Sequence, residues 1–409
     1  MSLQMRWVGG SDFDRVAITR AQCYGSASKE TPKFIDGIRA DDRAKAGDFL
    51  LAERDGLSVG TATSLSMSMW MRGTKIPCQG VAWVGTVKTH RRGSRAAGEG
   101  IASQIMKETL RLGREREQVV SALMPFRASF YDHFGYGIVE RRNVWTAPLA
   151  VLPSGAFDAV RFYEPGDLDA MAACRQRTVE RGQCDIERSG GGWAVYLKNW
   201  QDGWLAVDRT GDGPVRGYCA FQNAQKDGKG VVSVLDSDWE DVEALRRMLH
   251  FLASLRDQYT FATFSLPADL PLNRLLRETQ LPHRTVSHGY AEVRPTTRMS
   301  IRVLDHKRLL EGMKLPAERL GSVVVAVKEV EGHESRFKID IEGGRITVAA
   351  SSATAELECA DRIWAGIVSG DMPATLAVKL GLATACSNRA AETLDAFAQG
   401  PVPFCQEYF

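Results

Sequence analysis

The sequence lacks the features that mark membrane proteins, secreted proteins and zinc-binding modules. No apolar run reaches the roughly 18 residues that a membrane-spanning helix needs, and residues 1–6 lack the apolar core of a signal peptide. The eight cysteines form no Cys-x-x-Cys pair, and the seven histidines are dispersed. We therefore expect reduced, mostly buried thiols in a cytoplasmic protein with no membrane partner and no metal site.

An excess of charge of either sign is also missing. The chain has 52 Lys and Arg against 50 Asp and Glu, a formal net charge of +2, so nothing in its overall charge favours a nucleic-acid partner. A hydrophobic content of 44% and a charged content of 25% are typical of a soluble globular protein. At 409 residues the chain exceeds one ordinary core, so we expect two or three domains.

Two common phosphate-binding signatures are absent as well. The chain has neither the Gly-Lys-Ser/Thr ending of a P-loop nor a Gly-x-Gly-x-x-Gly dinucleotide fingerprint. In their place, an apolar, β-branched run at residues 81–87 predicts a buried strand, and an amphipathic helix is predicted from residue 101. The turn between them is basic and contains several glycines.

This turn has the composition of a pyrophosphate site. The first turn of a helix leaves backbone amides unpaired, and the helix dipole adds positive potential there. Gly98 and Gly100 would let a phosphate approach the backbone, and Arg91, Arg92 and Arg95 would supply charge. An ordinary strand-to-helix turn with solvated arginines is the alternative interpretation.

The spacing Arg95-x-x-Gly98-x-Gly100 resembles the coenzyme A loop of the GCN5-related N-acetyltransferases (GNAT proteins). With residues 89–92 before the helix and residues 131–137 after it, the chain resembles one branch of them, the Eis (enhanced intracellular survival) acetyltransferases. The resemblance extends over essentially the whole chain. One departure is an insertion of about five residues, 93–97, which leaves open which arginines contact phosphate.

The resemblance implies a fold of mixed α/β and α+β class, with tandem GNAT folds followed by a sterol carrier protein-like domain. We place a catalytic, acetyl-CoA-binding domain at residues 1–150 and a second, degenerate domain without the glycine loop at 151–294. The sterol carrier protein-like domain would occupy residues 295–409. Within these domains, aromatic and apolar runs predict a strand at residues 193–196, and the C-terminal pattern predicts a helix over residues 383–398.

The resemblance also implies two catalytic residues. Tyr131 would protonate the departing thiolate, and the terminal carboxylate of Phe409 would serve as general base. A carboxylate with a pKa near 3.5 is a weak base for an ammonium, so it would act by attraction, through a water, or with a pKa raised by burial. The alternatives are a packing tyrosine and an aromatic anchor that docks the tail.

Acetyl-CoA is the implied cosubstrate, with the thioester held by the backbone of Thr86 and Val87. The residues predicted to bind it are Gly85, Thr86, Val87, Arg91, Arg92, Arg95, Ala96, Gly98, Glu99, Gly100 and Ile101.

The function implied is direct acetyl transfer to a primary amine of a cationic acceptor, such as an aminoglycoside, a polyamine or a lysine side chain. Glu407 and the C-terminal charge would favour such cations. Family likeness further suggests a homo-oligomer, specifically a hexamer. The alternatives are an acyl-CoA or lipid-binding carrier with a vestigial transferase site and a scaffold that assembles through the third domain. A methionine stripe at Met67, Met69 and Met71 is interpreted as core rather than as a pocket lining.

Overall fold

Three β-sheets and the helices around them make up the computed structural model, which describes residues 3–40, 43–45, 47–91, 100–279 and 290–409. The strands up to residue 138 are β1 (Gln4–Val8), β2 (Phe49–Arg54), β3 (Leu57–Met71), β4 (Thr74–Thr86), β5 (Val120–Leu123) and β6 (Gly137–Ile138). The next strands are β7 (Arg142–Pro148), β8 (Val160–Phe162), β9 (Asp185–Ile186), β10 (Trp204–Asp208), β11 (Gly217–Lys226), β12 (Lys229–Trp239), β13 (Phe261–Pro267) and β14 (Glu292–Thr296). The last strands are β15 (Ser300–Val303), β16 (Gly321–Lys328), β17 (Glu334–Glu342), β18 (Arg345–Ala350), β19 (Leu357–Ala360) and β20 (Ala383–Ala385).

The α-helices of the described residues lie between these strands. They are α1 (Phe13–Tyr24), α2 (Thr31–Ala40), α3 (Ile101–Glu115), α4 (Ala128–Tyr131), α5 (Leu168–Arg181), α6 (Gly190–Asn199), α7 (Val242–Ser254), α8 (His306–Gly312), α9 (Asp361–Val368), α10 (Ala374–Lys379) and α11 (Asn388–Leu394). In α3, Ile105, Met106 and Leu110 are buried on one face, as its amphipathic pattern predicts.

The chain crosses between the first two sheets. The first sheet has the order β1-β2-β3-β4-β5-β15-β6, with β9 beside β3, and the second has the order β14-β7-β13-β12-β11-β10-β8. Strand β7 therefore joins the second sheet before residue 150, and β15 returns to the first sheet after residue 294. The third sheet, β18-β17-β16-β19-β20, is formed entirely from the C-terminal part. The domain boundaries proposed from sequence stay predictions.

Two local predictions are wrong. Residues 193–196 lie in α6 and not in a strand, because the Ser189 side chain caps the helix by accepting from the Gly192 amide at 3.0 Å and Trp193 packs into a buried aromatic cluster. The helix predicted over residues 383–398 begins only at Asn388, after the Ser387 cap. Residues 383–385 instead form β20, which pairs with β19.

The third sheet docks against the first domain through an ion-pair network around a buried arginine, Arg302. Arg302, on β15, donates to the Phe134 carbonyl at 2.7 Å and binds Glu331, with Glu329 3.6 Å away. Glu329, Glu331 and Asp361 bring three carboxylates together, and the Arg302 guanidinium is a cation buried among them. This arginine therefore ties the segment after Tyr131 to the C-terminal domain.

The predicted burial of the thiols is confirmed for seven of the eight cysteines, with Cys386 exposed. In the part of the chain that the structure describes, no helix combines the length and the apolar character needed to cross a bilayer.

Candidate active site

The central feature of the candidate site is a gap between two parallel strands of the first sheet. Strands β4 and β5 pair from Cys78 with Val120 to Gly80 with Ala122, and the pairing ends there. On the other side of β4, the register with β3 shifts near Ala82, and Trp83 adopts a left-handed φ of 55°. A bulge bends the strand that carries it, and this one lies just beyond the last residues of β4 that pair with β5.

Helix α3 begins beside this gap without a side-chain cap. Its N-cap is Gly100, and the first helical bonds run to the Gly100 carbonyl from the amides of Ser103 and Gln104, at 3.0 and 3.1 Å. Among the described residues, a Cβ placed on Gly100 would meet no atom within 4 Å. The positive end of the dipole and a helix start without a side-chain cap fit an anionic diphosphate.

Part of the predicted phosphate loop lies outside the described residues. These residues are Arg92, Arg95, Ala96, Gly98 and Glu99. The described residues of the predicted set are Gly85, Thr86, Val87, Arg91, Gly100 and Ile101.

Helix α7, the counterpart of α3 in the second domain, has a different start. It lies between β12 and β13, a parallel pair like β4 and β5. Its N-cap Asp241 accepts from the Ala244 amide at 2.9 Å, and Glu243 adds a second acidic side chain in the first turn. A carboxylate therefore already satisfies the amide that an anion would need, which agrees with the predicted degeneracy of this domain.

The described residues at the end of β4 are engaged within the chain. Arg91 donates to the carbonyls of Thr86 and Cys23 at 3.1 and 2.8 Å, and so joins β4 to α1. Val87 uses both of its backbone groups, its amide bonding to Val59 and its carbonyl accepting from His90. In this structure, the Arg91 guanidinium and the Val87 backbone are therefore hydrogen-bonded to other parts of the chain.

Gly85 has a packing reason to be glycine. A Cβ there would lie 2.9 Å from atoms of both Cys23 and Tyr24 at the end of α1. The missing side chain lets α1 approach β4 closely, and the Tyr24 hydroxyl then reaches the Val84 carbonyl.

Tyr131 lies on the α3 face of the first sheet, packed with Val81 and Leu123. Its side chain is only 5% exposed, and burial raises its pKa to about 12. Within the described residues its hydroxyl has no hydrogen-bond partner, whereas the Tyr136 hydroxyl bonds to Ser121 Oγ at 2.6 Å. The hydroxyl of the neighbouring tyrosine is therefore engaged within the fold, and that of Tyr131 is not engaged by any described residue.

The glycines after Tyr131 fit against the C-terminal domain. A Cβ on Gly137 would overlap the Arg362 carbonyl group, with its carbon 2.9 Å away. Gly135 has a φ of 74° and sits against the Asp361 carboxylate. The two glycines of the Phe-Gly-Tyr-Gly segment therefore allow the C-terminal domain to pack closely against it.

Phe409 lies on the opposite face of β4. A Cβ on Gly80 would be 3.2 Å from its ring, and the ring lines a cleft beside Ala82 and Trp83. The side chains of residues 80 and 82 alternate with that of Val81, which faces Tyr131. The two predicted catalytic residues thus flank the same stretch of β4, one on each side of the sheet, where β4 and β5 part.

The cleft beside Phe409 contains residues that the sequence analysis did not identify. It is lined by Arg20, Ile38, Arg43, Ala44, Phe49, Thr63, Leu65, Ala82, Trp83 and Phe409. These residues come from α1, α2, β2, β3, β4, the segment between α2 and β2, and the C-terminal end, so no local spacing marks them as a group. Met69 and Met71 are fully buried, as interpreted, whereas Met67 lies against Gly80, on the same side as the Phe409 ring.

Glu407 does not face this cleft as a free anion. It is 3% exposed, accepts from Arg188 Nε at 2.8 Å and has Arg43 at 3.8 Å. Because two arginines compensate its charge, the argument that Glu407 attracts cationic acceptors is wrong.

Comparisons with known proteins agree with this geometry. Two models of the acetyltransferase (GNAT) domain match the chain, one over residues 4–139 and another over residues 185–303. No curated protein matches the sequence.

Solved structures match the chain over its whole length. A GCN5-related N-acetyltransferase from Anabaena variabilis is 17% identical, with 100% of both chains covered and a TM-score of 0.85. One from Kribbella flavida is 19% identical, with 100% of this chain and 98% of that chain covered and a TM-score of 0.78. Eis1 from Mycobacterium abscessus is 19% identical, with 100% of both chains covered and a TM-score of 0.79. The chain therefore belongs to the GNAT acetyltransferases, with two of their domains in tandem and the whole-chain fold of the Eis-type proteins.

Proposed function

We propose that this protein is an N-acetyltransferase that moves an acetyl group directly from acetyl-CoA to a primary amine. The observation that carries the proposal is the parted β4–β5 pair beside the uncapped start of α3, with Tyr131 on one face and Phe409 on the other. The GNAT domains support acetyl transfer in general.

Acetyl-CoA would supply an activated acyl carbon when bound in the gap. The chain would contribute the amides at Ile101 and the open backbone at Gly100 for the diphosphate, with the arginines of the preceding turn adding charge. The backbone of β4 from Val81 to Thr86 would hold the acyl group, because β4 no longer pairs with β5 there.

The two faces of the gap would then divide the proton transfers. An amine in the Phe409 cleft would lose its proton towards the carboxylate of Phe409, which is available when the chain ends at that residue. On the other face, Tyr131 would protonate the departing sulfur. A phenol whose pKa is raised to about 12 keeps its proton until a thiolate develops next to it.

The chemical class of the acceptor is inferred from the family resemblance and from the charged groups that line the cleft. We propose a primary amine, and the first candidates are the aminoglycoside, polyamine and lysine-bearing acceptors implied by the Eis likeness. The charged side chains among the described cleft residues are Arg20 and Arg43, so the terminal carboxylate would be the anionic group that an ammonium meets.

The experiment measures thiol release from acetyl-CoA with a panel of such amines. We expect Tyr131→Phe and removal of Phe409 each to lower kcat by about 100-fold or more while acetyl-CoA still binds. Tyr136→Phe is the matched control, since it also removes a tyrosine hydroxyl from this segment but one bonded to Ser121. Unchanged turnover in both test variants would refute the assigned roles, and acyl-CoA binding without thiol release for any amine would favour a carrier.

Three further properties are proposed from the family resemblance alone. They are a sterol carrier protein-like fold for residues 295–409, a hexameric assembly and a cytoplasmic location. Light scattering of the purified chain would test the assembly.

A further inference from the structure

The last residues of the chain run along the first two domains, with Pro403, Cys405 and Glu407 buried. The amide of Phe404 bonds to the Gln183 carbonyl at 3.0 Å, and the amide of Gln406 bonds to the Asp185 carboxylate at 3.0 Å. Between them, Cys405 is fully buried, and its carbonyl accepts from two arginines, Arg142 and Arg298. Such consecutive contacts fix both the path and the register of the segment.

The second domain contacts the two residues that precede Phe409. Arg188 has no exposed side-chain surface, and it binds Glu407 at 2.8 Å and Asp236 at 2.9 Å. The Tyr196 hydroxyl accepts from the Tyr408 amide at 2.6 Å. Because Tyr408 immediately precedes Phe409, these bonds restrain the residue before the cleft.

An aromatic cage holds the arginine itself. The Arg188 guanidinium lies 3.7 Å from the ring centre of Tyr196 and 4.6 Å from that of Trp193. Both rings belong to α6, the helix that capping by Ser189 starts immediately after Arg188. Two carboxylates and two π faces therefore compensate a fully buried cation, which leaves it one defined position.

We propose that the degenerate second domain is a clamp for the C-terminal tail, and that Arg188 and Tyr196 are positioning residues that set where Phe409 lies in the acceptor cleft. The clamp gives this domain a role that does not need coenzyme A, in agreement with the Asp241 cap on α7. Its effect on turnover rests on the proposed function, through Phe409, whereas its effect on the tail does not.

The test separates these two effects. Tyr196→Phe removes the acceptor of the Tyr408 amide but keeps the ring over Arg188. Glu407→Gln removes the negative charge that pairs with Arg188 but keeps the shape of the side chain. The matched controls are Tyr163→Phe, which alters the same aromatic cluster away from the tail, and Glu240→Gln, which alters an arginine-paired carboxylate elsewhere in the domain. Hydrogen exchange at the amides of residues 404–409 reports the tail, and kcat and KM report catalysis.

We expect the two tail variants to speed exchange of the tail amides by roughly tenfold or more. We expect kcat to fall by a similar factor with little change in the KM for acetyl-CoA, and the controls to do neither. Unchanged tail exchange in both folded variants would overturn the clamp. Faster exchange with unchanged kcat, together with full activity after removal of Phe409, would uphold the clamp and overturn the role of Phe409 in the proposed function.

Discussion

Replacing Gly135 by alanine tests whether the C-terminal domain holds the Tyr131 segment in place. Gly135 ends the short helix after Tyr131 with a φ of 74°, a conformation that costs alanine about 1 kcal/mol. Its new Cβ would also lie 2.9 Å from Asp361 Cγ and closer still to Oδ2.

The Asp361 carboxylate has little freedom to move away from that Cβ. It is 5% exposed and accepts from the amides of Val330 and Arg362 at 3.0 and 2.8 Å. Displacing it would loosen these bonds, which adds about 1–3 kcal/mol to the cost of the substitution. We therefore expect Gly135→Ala to destabilise the protein by about 3 kcal/mol in total.

Gly381→Ala is the matched control. Gly381 also follows a short helix, with a φ of 69°, but a Cβ there would meet nothing within 4 Å. Calorimetry should give a fall in Tm of roughly 1 °C for Gly381→Ala and roughly 4 °C for Gly135→Ala in this 409-residue chain. Only the latter should lower kcat, because only Gly135 is near Tyr131. Equal losses of stability in the two variants would refute the reasoning about Asp361.

Two further predictions concern the proton on Tyr131 and the helix cap of the second domain. Because burial raises the pKa of Tyr131 to about 12, its phenol stays protonated through the working range, and the pH–kcat profile should show no loss of activity from this group up to about pH 10. A decline near pH 8 that Tyr131→Phe abolishes would contradict this. Asp241→Ala should cost about 1 kcal/mol of stability, measured by calorimetry, and leave the KM for acetyl-CoA unchanged. A changed KM would mean that α7 takes part in cofactor binding.

The sequence could predict features that short segments determine. The amphipathic period of α3 is local, and it is found in the structure. The strand predicted at residues 193–196 failed because its aromatic residues have high β-propensity, whereas the Ser189 cap and the packing of Trp193 select a helix.

The surroundings of the site could not be predicted because they depend on residues far apart in the chain. Glu407 is separated by 219 positions from Arg188, which compensates its charge. Seen in the sequence alone, its carboxylate therefore looked like a free anion that would attract cationic acceptors. The cleft beside Phe409 likewise combines Arg20 with Trp83, and neither position belongs to a motif. The family resemblance supplied Tyr131 and Phe409 as candidates, and the fold explains how both lie beside β4.

The crossing of strands between sheets explains why the three parts act as one body around the site. Strand β15 fits between β5 and β6 and pairs Ile301 with Ala122, next to the end of the β4–β5 pairing. Its Arg302 then bonds to Phe134 and to the acidic residues of the third domain. A chain cut after the first matched domain would lose this strand and leave the edge of β5 unpaired. The strand that pairs with β5 on the side away from the gap therefore comes from residues 300–303, and the geometry of the first domain depends on the rest of the chain.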